Sequence, residues 1–217
     1  MPETTLKYWT TTPQKIKCPV RNRGGLIALP VRRLLACGVI LAALGSLCVP
    51  AGRTQDAPTE YQVKAAFLFN FAKFVDWPES SFATPQSPFS LCVLGVDPFG
   101  RALDDALAGK AIANRPVLVS RLKEPASARQ CQIAFISSSE KVRWPAIFGA
   151  LRGANVLLVG EADGFAASGG TIQFTLEENR VRFSINTDAA ERAHLQISSK
   201  LLALAKIVRD APNRRRD

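Results

Sequence analysis

The chain is poor in the side chains that do chemistry near neutral pH. It has one histidine, His194, in 217 residues, and nothing in the sequence ties that imidazole to a particular serine or aspartate. A histidine-centred acid–base or nucleophilic site therefore lacks its usual parts. The serine clusters Ser137–Ser139 and Ser198-Ser199 carry no nucleophile-elbow pattern. They read as a helix cap and as small residues for close packing. Gly95 and Gly100 flank "VDPF", which is neither a dinucleotide fingerprint nor a phosphate loop, and Gly109-Lys110 lacks the upstream glycine. One histidine and two cysteines in the mature chain are too few for a usual zinc site. These gaps argue against an enzyme, and no catalytic residue, metal or cofactor is expected.

Long apolar runs are also scarce. The longest, "LLACGVILAALGSLCV" (34–49), is 16 uncharged residues directly behind Arg32-Arg33. A spanning helix needs about 20, so the run fits a secretory h-region better than an anchor. "VPA" places Val49 and Ala51 at the −3 and −1 positions of a cleavage site. The expected organisation is a signal peptide with an extended n-region over 1–51, a flexible lead-in over 52–58, one folded domain over 59–209 and a basic tail over 210–217. The mature protein is then periplasmic and does not span the membrane. Cys37 lies at the start of the apolar run rather than after it and Cys48 follows an unsuitable leucine, so neither fits lipidation.

A formal net charge of +10 suggests an acidic partner until it is located. Seven basic residues against Glu3 put +6 of it in residues 1–51, which leaves +4 for the rest, with three of those charges at Arg214–Arg216. Nucleic-acid binding needs Lys and Arg clustered on one face of the fold. Here they sit at the chain ends, and that partner class is excluded. Downstream of the cleavage site only Cys92 and Cys131 remain. In an oxidising compartment they either pair or serve as two small apolar core residues. Pairing would stabilise the fold by about 4 kcal/mol in the chain-entropy model.

The rest of the chain alternates between two patterns. "FSLCVLGV" (89–96), "RPVLVSRL" (115–122), "CQIAFISS" (131–138) and "NVLLVGE" (155–161) are strand-like and nearly continuously apolar. Between them lie helical patterns, over about 98–108 behind Asp97-Pro98 and over 140–152 behind Ser139. "GTIQFTLEENRVRFSIN" (170–186) alternates on both sides of "EEN" and reads as an antiparallel hairpin. A last helix is expected over 188–208, with Ile197, Leu201, Leu204 and Val208 on one face. The predicted fold is α/β, a three-layer sandwich with a mostly parallel sheet, helices on both faces and an antiparallel hairpin near the C-terminus. Such sheets bind ligands at their carboxyl ends, which here carry Asp97, Ser137, Ser138 and Glu161. Arg192 and His194, at the expected start of the last helix, are candidate ligand-binding residues, because free backbone N–H groups there favour an anion. A solvated first turn is the alternative.

"FLFNFAKFVDWP" (67–78) packs five aromatics into one helix that must end before Pro78. Val63, Phe67, Phe71 and Phe74 share a face and predict core. Glu60 and Lys64 read as a surface pair. Leu68 and Phe69 extend the apolar surface around the cylinder, which predicts a contact with a neighbouring chain or partner.

Six blocks in order carry a resemblance: "EYQVKAAFLFNFAKFVDWP" (60–78), "LCVLGVDPFG" (91–100), "GKAIANRPVLVSRL" (109–122), "CQIAFISSSE" (131–140), "LLVGEADGFAASGGTIQFTLEENRVRFSIN" (157–186) and "ISSKLLALAKIV" (197–208). Together they resemble the YfiR family of exported proteins and cover nearly all of the chain after residue 59. The resemblance implies a homodimeric periplasmic regulator without enzymatic activity that holds an inner-membrane diguanylate cyclase inactive. That hold limits cyclic di-GMP and biofilm growth and is relieved through an outer-membrane lipoprotein. It also implies a Cys92–Cys131 disulfide and, through small-ligand binding suggested for the family, points to Arg192 and His194. Many relatives serve other sensor proteins, so the partner's identity does not follow. The other reading is a periplasmic small-ligand-binding protein serving a sensor kinase or transporter.

Overall fold

A computed structural model describes residues 59–210. The apolar segment 34–49, its cleavage site, the lead-in 52–58 and Arg214–Arg216 lie outside the described residues. Helix α1 (Glu60–Phe74) opens on a reciprocal cap: Thr59 Oγ1 accepts from the Gln62 amide, and Gln62 Oε1 accepts from the Thr59 amide. Two free N–H groups are thereby satisfied at the first turn. The helix stops where Val75 turns extended and, with Asp76, forms the short strand β1 (Val75–Asp76), three residues ahead of Pro78.

The main sheet has eight strands. In chain order they are β2 (Phe89–Leu94), β3 (Ala111–Ile112), β4 (Arg115–Leu122), β5 (Ile133–Ile136), β6 (Leu157–Gly160), β7 (Ile172–Glu177), β8 (Arg180–Asn186) and β10 (Lys206–Val208). The short strand β9 (Gln196–Ile197) pairs antiparallel with β1 outside it. Across the sheet the order is β10-β8-β7-β6-β5-β2-β4-β3. Pairing is parallel from β4 through β2, β5 and β6 to β7, and again between β8 and β10. The hairpins β7–β8 and β3–β4 are antiparallel. The β7–β8 turn falls on Glu178-Asn179, both at positive φ (48° and 61°), the mirror-image turn that suits strand twist.

Side-chain alternation divides the core in two. Leu91 and Val93 of β2, Ile133 and Phe135 of β5, and Leu157 and Val159 of β6 face one way. There they meet α1 and α2 (Arg101–Leu107). Cys92, Leu94, Ala134, Ile136 and Leu158 face the other way, onto α3 (Trp144–Ala150) and Phe165. The predicted three-layer α/β sandwich with a mostly parallel sheet is therefore present. Cys92 and Cys131 are joined on the α3 side, with Cα atoms 6.1 Å apart. Among the described residues no helix is long and apolar enough to cross a membrane.

The expected C-terminal helix over 188–208 does not form. In its place the chain makes α4 (Thr187–Arg192), a left-handed His194 (φ 54°), β9, the single turn α5 (Ser199–Leu202) and β10. Tertiary pairing overrides local periodicity here. Ile197 is claimed by Val75, and Lys206–Val208 are claimed by Ser184–Asn186. The side chain of Asn186 caps α4, accepting from the Ala189 amide. Two other boundaries move in the same way. The helix expected over 98–108 begins at Arg101, because the Asp97 carboxylate accepts from the Phe99 amide in a turn ahead of it. The helix expected over 140–152 divides into a 3-10 segment (Ser138–Arg143), capped by Ser137 rather than Ser139, and α3.

The core stripe of α1 is offset from the one its phenylalanines suggest. Ala65, Leu68, Phe71, Ala72 and Val75 are buried, Phe67 is half-buried at the stripe's edge, and Phe74 is 37% exposed. Leu68, expected at an interface, is 0% exposed within its own chain. The small Ala65 and Ala72 bring the helix close to the sheet, and the larger rings sit to either side. Phe67 and Phe71 pack on Phe174 and Phe183 with centroids 5.1–6.1 Å apart.

Phe165 depends on two glycines. A Cβ at Gly160 would lie 2.8 Å from its ring, and one at Gly170 only 2.2 Å away. Gly170→Ala is expected to cost about 2 kcal/mol by overpacking. Gly149→Ala, in α3 with nothing within 4 Å of the added carbon, is expected to be neutral or mildly stabilising. Urea unfolding of the two variants checks both.

Candidate functional site

The carboxyl ends of the strands, where ligands enter many parallel sheets, are largely occupied by internal partners. Asp97 accepts from Arg121 Nε at 2.9 Å, and Asp104 receives both terminal nitrogens of the same guanidinium at 2.6 and 2.7 Å. The Arg121 hydrogen bonds hold the Asp104 carboxyl below the usual carboxylate range, and in return Asp104 first, then Asp97, raise the guanidinium's pKa. Ser137 is a buried cap, and Ser138 points to solvent.

Glu161, at the end of β6, meets the buried Lys64 of α1. The Lys64 ammonium donates to Glu161 Oε2 at 2.6 Å and also pairs with Glu60 one turn earlier. Only 6% of the Lys64 side chain is exposed, so the Glu60–Lys64 pair read as a surface feature is instead a clamp between α1 and the sheet. Burial works against the charge on Lys64, but the hydrogen bonds it donates to Glu161 and Glu60 outweigh it and raise its pKa. Burial and the nearby Glu161 raise Tyr61 in turn. A cation at 64, one turn before Leu68 on the buried stripe, was the sequence signal for this clamp.

Arg192 and His194 are at the C-terminal end of α4, not at a helix start, so the free N–H groups invoked for them are elsewhere. Arg192 binds the Asp210 carboxylate, which also accepts from Asn186 Nδ2 at 2.7 Å. Burial pushes Asp210 up, but Arg192 and Asn186 outweigh it and hold it below the usual carboxylate range. Arg192 lines a cavity of about 480 Å³ with Arg152, Phe148, Ser168 and Thr171. The exposed His194 is not part of that lining.

Another groove lies at the other end of the sheet, beside the last turns of α1. A groove of about 620 Å³ is lined by Phe69, Ala72, Lys73, Val75, Asp76, Trp77, Phe82, Phe89, Ala111, Ile112, Ala113 and Arg115. Its rigid parts are anchored by hydrogen bonds. Trp77 Nε1 donates to the Gln132 carbonyl at 3.1 Å and its ring packs edge-on against Phe89. Arg115 donates to the Ser87 and Thr84 carbonyls at 2.7 and 3.1 Å and lies over the Phe82 ring, 3.9 Å from its centroid. Phe69, one of the two residues expected at an interface, is half-buried in this groove. Phe82 and Arg115 lie in a loop and at a strand start with no recognisable pattern, and sequence reasoning passed over them.

A family model described as YfiR/HmsC-like matches residues 61–206. The chain belongs to the YfiR/HmsC-like family. No curated protein matches the sequence. Among solved structures, the chain is similar to the ABC domain in complex with L-Trp from Streptococcus pneumonia, at TM-score 0.43 and 10% identity over 55% of each chain. It is also similar to a conserved domain protein from Vibrio cholerae (TM-score 0.48, 12% identity, 69% of this chain and 60% of that one). A third is a ligand-free, open substrate-binding protein with adhesive properties from Clostridium difficile (TM-score 0.38, 10% identity, 61% and 57%). This YfiR/HmsC-like chain thus spans little over half the length of each, and likenesses at that level say nothing of ligand or partner.

In this YfiR/HmsC-like fold Lys64→Met is expected to cost about 3 kcal/mol, since it leaves Glu161 buried without its cation. Adding Glu161→Gln is expected to recover part of that loss. Because the folded pKa of Lys64 is raised, its contribution is complete below the ordinary lysine pKa and is lost as pH rises through the folded value. Urea midpoints measured from neutral to strongly alkaline pH should therefore fall more steeply for the wild type than for the double variant.

Proposed function

We propose that this chain is a periplasmic regulatory protein that binds an inner-membrane signalling enzyme, a diguanylate cyclase, and holds it inactive, limiting cyclic di-GMP and biofilm formation. The observation that carries this reading is the family match over 61–206. Two features of the described residues support it. Cys92 and Cys131 are consumed in one disulfide, and the carboxylates at the strand ends are engaged by Arg121 and Lys64. The open surface is an aromatic groove suited to binding. In this reading the protein is exported by the segment 34–49, works as a homodimer and answers to an outer-membrane lipoprotein.

Deleting the gene is expected to raise cellular cyclic di-GMP and surface-attached growth, with reversal by a plasmid copy. Nucleotide extraction and quantitation check this, and an unchanged level after deletion would refute the cyclase as target.

A second reading has its own observation. The cavity beside Arg192 and Arg152 is of small-molecule size and would suit an anion, as in a ligand-binding protein serving a sensor kinase or transporter. If so, the unfolding temperature should rise with ligand concentration in a screen of amino acids and nucleotides, and Arg192→Ala should abolish the rise.

A further inference from the structure

Ion pairs hold several cations of this fold, but not those around the groove at the end of α1. Elsewhere in the described residues several cations have carboxylate partners: Lys64 with Glu161, Arg121 with Asp97 and Asp104, Arg192 with Asp210, while Lys141 stands over Trp144 without one. Around the groove Lys73, Lys110 and Arg115 form no ion pair among the described residues. They sit over aromatic faces instead. Lys73 and Lys110 lie 5.3 and 5.9 Å from the Phe69 centroid, and Arg115 lies over Phe82. The only carboxylate in the lining is Asp76. An apolar floor of Phe69, Trp77, Phe82 and Phe89 is thus bordered by three cations against one anion. Cations over aromatic rings keep their charge and remain available to an anion above them.

We propose that this groove is the docking site for an acidic segment of the protein partner, one that seats a large apolar side chain on the aromatic floor and sets carboxylates against Lys73/Lys110 and against Arg115. This deepens the regulatory reading and rests on it. Other occupants fit the same observations less well. A second copy docking groove to groove about a two-fold axis would place these cations opposite their own copies, an arrangement that like-charge repulsion disfavours. The cations stand over two different rings, Phe69 and Phe82, so a small ligand with one carboxylate would leave one of the two positions unserved. A peptide segment with spaced Asp or Glu serves both. The arrangement of a buried aromatic anchor within a charged rim also suits a protein contact, the anchor giving affinity and the rim steering and partner choice.

The test uses the mature full-length protein, with intrinsic tryptophan emission, to which Trp77 in the groove and Trp144 both contribute, as the readout. The probe is a synthetic nonapeptide alternating glutamate with leucine and phenylalanine. The controls are the same peptide with lysine in place of glutamate, and phenylpropionate as a small monocarboxylate. The glutamate peptide is expected to bind and to weaken at least ten-fold in Lys73→Glu/Lys110→Glu. Both side chains are exposed, so thermal unfolding should match the wild type. Arg115→Met should weaken binding as well, and raised salt should weaken the wild-type complex. Equal binding of the lysine peptide, affinity for phenylpropionate as high as for the peptide, or peptide affinity unchanged by Lys73→Glu/Lys110→Glu would each overturn the proposal. In cells, Lys73→Glu/Lys110→Glu at wild-type abundance should reproduce the deletion's rise in cyclic di-GMP. Deletion that raises cyclic di-GMP while this variant represses normally would overturn the groove and leave the regulatory reading standing. Deletion without effect would remove that reading itself, whatever the peptide does.

Discussion

Burial of the central strands on both faces is the constraint from which the rest of this fold follows. β2, β5 and β6 have no side that can tolerate water, so each must be covered twice. Alternation then sends odd positions such as Leu91, Val93 and Phe135 to α1 and α2, and even positions such as Cys92, Leu94 and Ala134 to α3. The disulfide belongs to the α3 face for the same reason: Cys92 is an even position of β2, and Cys131 precedes β5 on that side. The requirement for close packing explains Phe165 too, since it reaches the sheet only because Gly160 and Gly170 present no Cβ to it.

Electrostatics in this chain separates into charges used for folding and charges left over. The clamp of Lys64 between Glu60 and Glu161 holds α1 to the end of β6, and Arg121 ties the ends of β2 and β4 to α2 through Asp97 and Asp104. The Lys64–Glu161 pair is costly to break because the surviving partner is stranded away from water, and the more exposed Arg121 is fixed by three side-chain hydrogen bonds. Those groups therefore serve structure and are poor candidates for ligands. Among the described residues the groove cations are instead bound to aromatic faces and carbonyls rather than to carboxylates. A regulator that acts by contact needs a surface of that kind rather than a constellation of catalytic groups.

Much of the fold was legible because its signals are local. Nearly continuous apolar runs read as covered strands, "EEN" between alternating halves read as a hairpin turn, and β4 formed over the same residues, 115–122, that the pattern marked. The errors share one cause. Ile197 and Ile207-Val208 have the spacing of a helix face, but each has a strand partner supplied from far away in the chain. Local periodicity cannot register a partner that arrives only when the chain folds. Within α1 the large phenylalanines suggested the buried face, whereas Ala65 and Ala72 decided it, because close approach to a sheet favours small side chains over large ones.

By itself, then, the sequence determined the class of the molecule. Its apolar runs require a covered parallel sheet, and its ordered blocks place it in its family. Only the tertiary structure decided where its charges do their work. It buried Lys64 against Glu161, drew Arg192 onto Asp210, and left Lys73, Lys110 and Arg115 around an aromatic groove with no carboxylate partner among the described residues. The physical reason is that a charge acquires its role from its dielectric surroundings and its neighbours. Those neighbours lie 97 residues away for Lys64 and 31 or 28 for Arg115, distances over which sequence spacing carries no information.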